Sequence, residues 1–139
     1  MNKSNIIAST KLFVKNELKY AEGGHDWFHI LRVYNNARLI AKNENVDLLV
    51  VKLAALLHDI ADPKFNNGDE SIGPRKASEF LLSINVDSVI IEHVTQIIEN
   101  MSFKNSFDLN TSFTSKEMEV VRVADRLDAK GAIGIARCF

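Results

Sequence analysis

The run Leu48-Leu49-Val50-Val51-Lys52-Leu53-Ala54-Ala55-Leu56-Leu57-His58-Asp59-Ile60-Ala61 carries a single lysine before its His-Asp pair and is otherwise apolar. A helix that is hydrophobic nearly all round is one covered by neighbours on several sides. The segment is therefore predicted as the central helix of one domain, capped by Asp47 and ended at Asp62-Pro63, where the proline ring disfavours helical geometry at the residue before it. No apolar run approaches the ~18 residues a membrane span needs, and Met1-Asn2-Lys3-Ser4-Asn5 leads into an amphipathic segment instead of a signal-peptide apolar region. A cytoplasmic protein with no membrane partner is expected.

The remaining chain supplies the cover. Ile7, Phe13, Val14 and Leu18 fall at helical steps within residues 6–20, and Gly23-Gly24 stops that helix. Asp26 is placed to cap a second, carrying Phe28, Ile30, Leu31, Val33, Ala37, Ile40 and Ala41 to about Asn45. After a polar loop over residues 64–73, a short helix is predicted from Pro74 to Ser83. Another runs from about Asp87 to Met101, and a last long one from Ser115 through Ala129, with Gly131 and Gly134 near a terminal apolar piece. Nothing alternates with period two for long enough to build a sheet, so the fold class is all-α, a bundle of about six or seven helices.

Charge narrows the partners. With 17 basic and 18 acidic residues the net charge is −1. No basic stripe appears, and no nucleic-acid polymer is expected as partner. The single cysteine, Cys138, rules out an intrachain disulfide and a multi-cysteine zinc knot in this sequence. A metal must use His and carboxylates.

All four histidines stand beside carboxylates or in apolar helical frames: His25-Asp26, His29, His58-Asp59 and His93. Any one alone reads as readily as a hydrogen-bonded core residue. The His58-Asp59 pair differs, because two adjacent ionisable groups at the end of an apolar helix are costly to bury unless paired or bound to a cation. Asp125 likewise follows the apolar stripe of its helix, although Arg122, Arg126 and Asp128 at steps of three and four also allow surface ion pairs. His25-Asp26-Trp27-Phe28-His29 has the spacing of the zinc-peptidase motif, but Asp stands where Glu is needed as base and the first His follows two glycines, so that reading is set aside.

In order along the chain, His29-Ile30-Leu31-Arg32-Val33, Leu56-Leu57-His58-Asp59-Ile60 and Ala124-Asp125-Arg126-Leu127-Asp128 resemble the HD-domain metal-dependent phosphohydrolase superfamily. His25-Asp26-Trp27-Phe28-His29, Ala54 to Lys64 and Ala124 to Ala136 are similar to the small bacterial HD hydrolases, some of which act on nucleoside triphosphates. The resemblance covers nearly all of residues 1–139 and implies a single HD domain, an all-α HD-domain bundle.

It further implies metal ligands His29, His58, Asp59 and Asp125. Two imidazoles and two carboxylates suit a borderline divalent ion. One ion is expected: Mn first, with Fe, Co, Ni, Zn or Mg as alternatives. Asp59 and Asp62 are the catalytic candidates, Asp62 for proton transfer or equally as a turn cap before Pro63. Lys64, His93, Arg32 and Arg126 are candidates for phosphate or substrate contact, with His93 equally a hydrogen-bonding support behind the site and Arg32 or Arg126 alternatively holding a ligand carboxylate in place. Trp27, Phe103 and Phe107 read as core before they read as a base-stacking surface.

The implied activity is hydrolysis of a phosphate ester or anhydride, foremost of a nucleotide. The alternative is a catalytically silent metal- and nucleotide-binding regulatory module. Because similar family members continue past the apolar end Ala132 to Phe139, C-terminal helices are expected to be lacking, and exposed core surface would then favour a homo-oligomer.

Overall fold

The computed structural model describes residues 2–19, 27–60, 72–102 and 114–138, with side chains described as far as Asp128. Six helices are present among the described residues, and no strand: α1 (Lys3–Glu17), α2 (Trp27–Ala41), α3 (Leu48–Leu57), α4 (Ile72–Ser83), α5 (Ser88–Ser102) and α6 (Lys116–Cys138). None is long and apolar enough to cross a membrane. The predicted caps at Asp26 and Gly23-Gly24 lie outside the described residues.

α3 is the centre. Leu49, Val50, Val51, Leu53, Ala54, Ala55, Leu56 and Leu57 are all buried, and α1, α2, α5 and α6 each pack against α3. The Asp47 carboxylate starts it by accepting from Leu49 N (3.0 Å) and Val50 N (3.4 Å), two of the amides a helix start leaves without a carbonyl partner. The helix stops earlier than its apolar pattern suggests. His58 is the C-cap, and its Nδ1 lies 2.7 Å from the Ala55 carbonyl oxygen, one of the last four carbonyls that need a partner outside the helix. Residues 58–60 form a turn in place of the predicted continuation to Ala61.

Local chemistry fixes the other ends. Asn2 caps α1 through Asn5 N (2.8 Å). After α4, Asn85 takes a positive φ of 61° while Val86 N donates to the Leu81 carbonyl (3.1 Å), a left-handed C-terminal cap in which Asn replaces the usual Gly. Ser115 caps α6 through Met118 N (3.1 Å). α6 does not end at Ala129 but continues to Cys138. Gly131 and Gly134 each cost a helix about 1 kcal/mol relative to alanine, which weakens it without breaking it.

The arrangement that matters for chemistry is α2 packed along α6 with α3 beside both. His29 and Arg32 share one face of α2 at i, i+3, and Asp125 and Asp128 share one face of α6 at the same spacing. Leu53, fully buried in α3, contrasts with Leu82, 67% exposed on α4. Leu53→Ala should lower the unfolding free energy by about 2–5 kcal/mol, and Leu82→Ala by no more than about 0.5 kcal/mol, both read from urea denaturation.

Candidate metal centre

Three donors from three helices converge. His29 Nε2 lies 3.4 Å and His58 Nε2 3.6 Å from the same oxygen, Asp125 Oδ1, and the donor atoms of the three residues all lie within 4.8 Å of one another. Nitrogen and oxygen donors that share one ion, each about 2.1 Å from it, lie on the order of 3–4 Å apart. The site sits at the molecular surface edge of the core: the His29 and His58 side chains are 14% and 7% exposed and that of Asp125 is 39% exposed.

Each imidazole is held by its other nitrogen. His58 Nδ1–H donates to the Ala55 carbonyl (2.7 Å). His29 Nδ1–H donates to Asp128 Oδ2 (2.7 Å). Both bonds leave Nε2 as the ring nitrogen facing Asp125, so that loss of its proton frees the lone pair a metal-ligating histidine requires. Asp128 is fixed in turn by Arg32, whose Nε donates to Oδ1 (2.6 Å) and whose second guanidinium nitrogen reaches Oδ2 at 3.4 Å.

The electrostatics follow from these contacts. The Asp125 carboxylate against His29, helped by Asp128 and opposed by burial, raises the His29 pKa from 6.5 to about 9. Burial works against a charged His58, yet Asp125, the nearby Asp59 charge and the Ala55 carbonyl together hold its pKa above the ordinary value. Bonds from His29 and then His58 hold Asp125 well below the usual carboxylate range. Burial works against an ionised Asp128, but the Arg32 guanidinium and then His29 depress its pKa. The cluster thus favours positive charge around one carboxylate, which suits a divalent cation once the imidazoles give up their protons.

The structure brings His29, His58 and Asp125 together. Asp59 stands beside His58, close enough for its charge to act on that ring, but its carboxylate is not among the donors gathered within 4.8 Å. Successive side chains on a helical path diverge by about 100°, so the two residues of the His-Asp pair start in different directions. Arg32 serves Asp128, an orienting carboxylate and not one of the converging donors. Arg126 is exposed beside Asp125. His93 lies elsewhere: its Nε2 is 3.0 Å from Ser115 Oγ and 3.8 Å from Glu117 Oε1, at the start of α6 and about 15 Å along that helix from Asp125. It ties α5 to α6. Asp62, Lys64, His25, Asp26, Phe103 and Phe107 lie outside the described residues, whereas Trp27 packs against the core.

Asp128 is the residue that sequence reasoning missed. Its signal was the double i, i+3 spacing, His29/Arg32 on one helix and Asp125/Asp128 on another. Only the packing of α2 on α6 turns that spacing into a bonded chain.

Residues 27–130 match the HD domain. The chain belongs to the HD domain family. It is 36% identical over 129 residues to the uncharacterised Bacillus subtilis protein YpgQ, covering 93% of this chain and 62% of that protein. An HD-superfamily hydrolase from Bacillus thuringiensis is 40% identical and superposes with a TM-score of 0.77, over 98% of this chain and 64% of that one. The structure of Bacillus subtilis YpgQ in complex with ADP is 34% identical with a TM-score of 0.76, over 99% of this chain and 65% of that one. The chain thus has the fold of HD-superfamily hydrolases and spans somewhat less than two thirds of the length of these relatives. HD domains bind divalent metals, and the His29, His58 and Asp125 cluster lies within the matched residues.

A pKa raised by folding stabilises the metal-free fold fully below the unfolded value near 6.5 and stops doing so as pH rises through about 9. The difference in thermal stability between the metal-free protein and His29→Gln should therefore be constant at pH 5–6 and shrink toward about pH 9. Apparent Mn affinity should climb over the same interval as protons stop competing. Asp128→Asn should weaken Mn binding about 10–100-fold by isothermal titration calorimetry while leaving the helical circular dichroism unchanged.

Proposed function

We propose that the protein is a metal-dependent phosphohydrolase that cleaves a phosphate ester or anhydride of a nucleotide, using one divalent ion, with Mn as the leading choice. The observation that carries the reading is the pair of Nε2 atoms facing one Asp125 oxygen, each ring held from behind by a carboxylate or a carbonyl. The ADP bound to a relative of the same fold supports a nucleotide as ligand.

In this reading His29, His58 and Asp125 hold the ion and Asp59, next to His58, completes the set by turning its carboxylate inward. A divalent ion supplies Lewis-acid polarisation of a phosphoryl oxygen and lowers the pKa of water. The protein's own residues do the rest. Asp128 and Arg32 keep His29 in one tautomer and orientation. Asp62, three residues beyond Asp59, accepts the proton of the attacking water as its oxygen bonds to phosphorus and the bond to the leaving oxygen breaks. Lys64 and the exposed Arg126 neutralise phosphate charge.

The deciding experiment offers nucleoside mono-, di- and triphosphates with Mn, Co, Ni, Zn or Mg and separates phosphate from pyrophosphate among the products. Metal-dependent turnover is expected. It should vanish in Asp59→Ala and fall about 10²–10⁴-fold in Asp62→Asn. Stoichiometric binding of metal and nucleotide with no product in any combination would instead identify a binding module.

A further inference from the structure

Away from the metal centre, at the opposite end of α3, α1, α2 and α3 enclose a pocket of ≈ 420 Å³. That size lies within the range of small-molecule sites. Its floor is apolar, from Ile7 and Leu49, and its wall is Tyr34; Lys3, Lys11 and Lys52 converge on it from α1 and α3. None of the three lysines has an ion-pair partner among the described residues, and what sets them apart from other such cations is that all three line one pocket. Such a concentration of unpaired cations is unexpected on a chain whose net charge is −1.

Tyr34 sharpens the case. The residue is only 4% exposed, and its ring is covered by the Lys11 ammonium, 4.5 Å from the centroid. Its hydroxyl makes no hydrogen bond among the described residues. Since no buried side-chain polar atom there is left without a partner, the hydroxyl is not sealed in the core, and Tyr34 is among the residues that line the pocket. A phenol together with three ammonium groups makes a lining rich in donors. Among the described residues of the lining the one carboxylate, Asp47, is engaged in capping Leu49 and Val50.

We propose that this pocket is a second ligand site, for the polyphosphate group of a small molecule, held by Lys3, Lys11, Lys52 and the Tyr34 hydroxyl. Phosphoryl oxygens supply several acceptors and more than one negative charge, which matches three ammonium donors and one phenol. The site is separate from the metal centre: its lining includes none of His29, His58 and Asp125, and along α3 Leu48 stands about 15 Å and Lys52 about 9 Å from His58. It stands whether or not the metal centre hydrolyses nucleotides.

The test uses the isotope-labelled full chain with a chelator present, titrated with inorganic tripolyphosphate and followed by amide chemical shifts. Saturable shifts are expected around Lys11, Tyr34, Leu49 and Lys52. Lys11→Gln with Lys52→Gln should weaken binding by at least about tenfold, since each loses a charged hydrogen bond. Tyr34→Phe should weaken it by a smaller factor. A control with Lys15→Gln and Lys42→Gln, which removes the same charge elsewhere, should bind within about twofold of wild type. Shifts confined to the surroundings of His29, His58 and Asp125 would overturn the proposal. So would equal weakening by both double variants, or no saturation below about 10 mM tripolyphosphate.

Discussion

Burial of α3 between α1, α2, α5 and α6 is the constraint from which the rest of this protein follows. A helix packed by α1, α2, α5 and α6 can neither rotate nor slide without opening cavities, so the residue at its C-terminal end has a fixed position and direction. That residue is His58. Its ring takes the Ala55 carbonyl, so the same bond that finishes the helix sets the tautomer of a metal-ligand candidate.

The second element is the seam between α2 and α6. His29 and Asp125 face one another across it, and one turn further along each helix Arg32 faces Asp128. The two pairs are joined by the bond from His29 to Asp128. A buried imidazole and carboxylate would be costly if left loose, because each must surrender water. Here every nitrogen of both rings has a defined partner, and the depressed Asp125 and raised His29 and His58 are consequences of one arrangement, a carboxylate oxygen shared by two rings. The arrangement stores attraction for positive charge at one point.

Much of this was legible in advance. The apolar run of α3, its Asp47 cap and the Ser115 start of α6 rest on short-range rules and appear in the structure as expected. His29, His58 and Asp125 were readable as a set because the motif order carried them. Boundaries were harder. α3 stops at Leu57 because a side chain captures a carbonyl, and α6 runs to Cys138 because two glycines are a tolerable cost within a long helix; composition and spacing register neither competition. The contacts of His93 with Ser115 and Glu117 could not be read from its local motif, since both residues are more than twenty positions away.

What the sequence determined alone is the helical class and the central helix, because each depends on residue type and on neighbours within a few positions; the ligand candidates are what the resemblance of three ordered motifs to the HD family implies. The tertiary structure decided which of the flanking charges serve the centre. Arg32, Asp128 and Arg126 are alike in sequence, polar residues one to three positions from a ligand candidate. Only the relative rotation of α2 and α6 makes the first two a support for His29 and leaves the third exposed. The gathering of Lys3, Lys11, Lys52 and Tyr34 around one pocket is of the same kind, because their separation along the chain says nothing of their distance until three helices have packed.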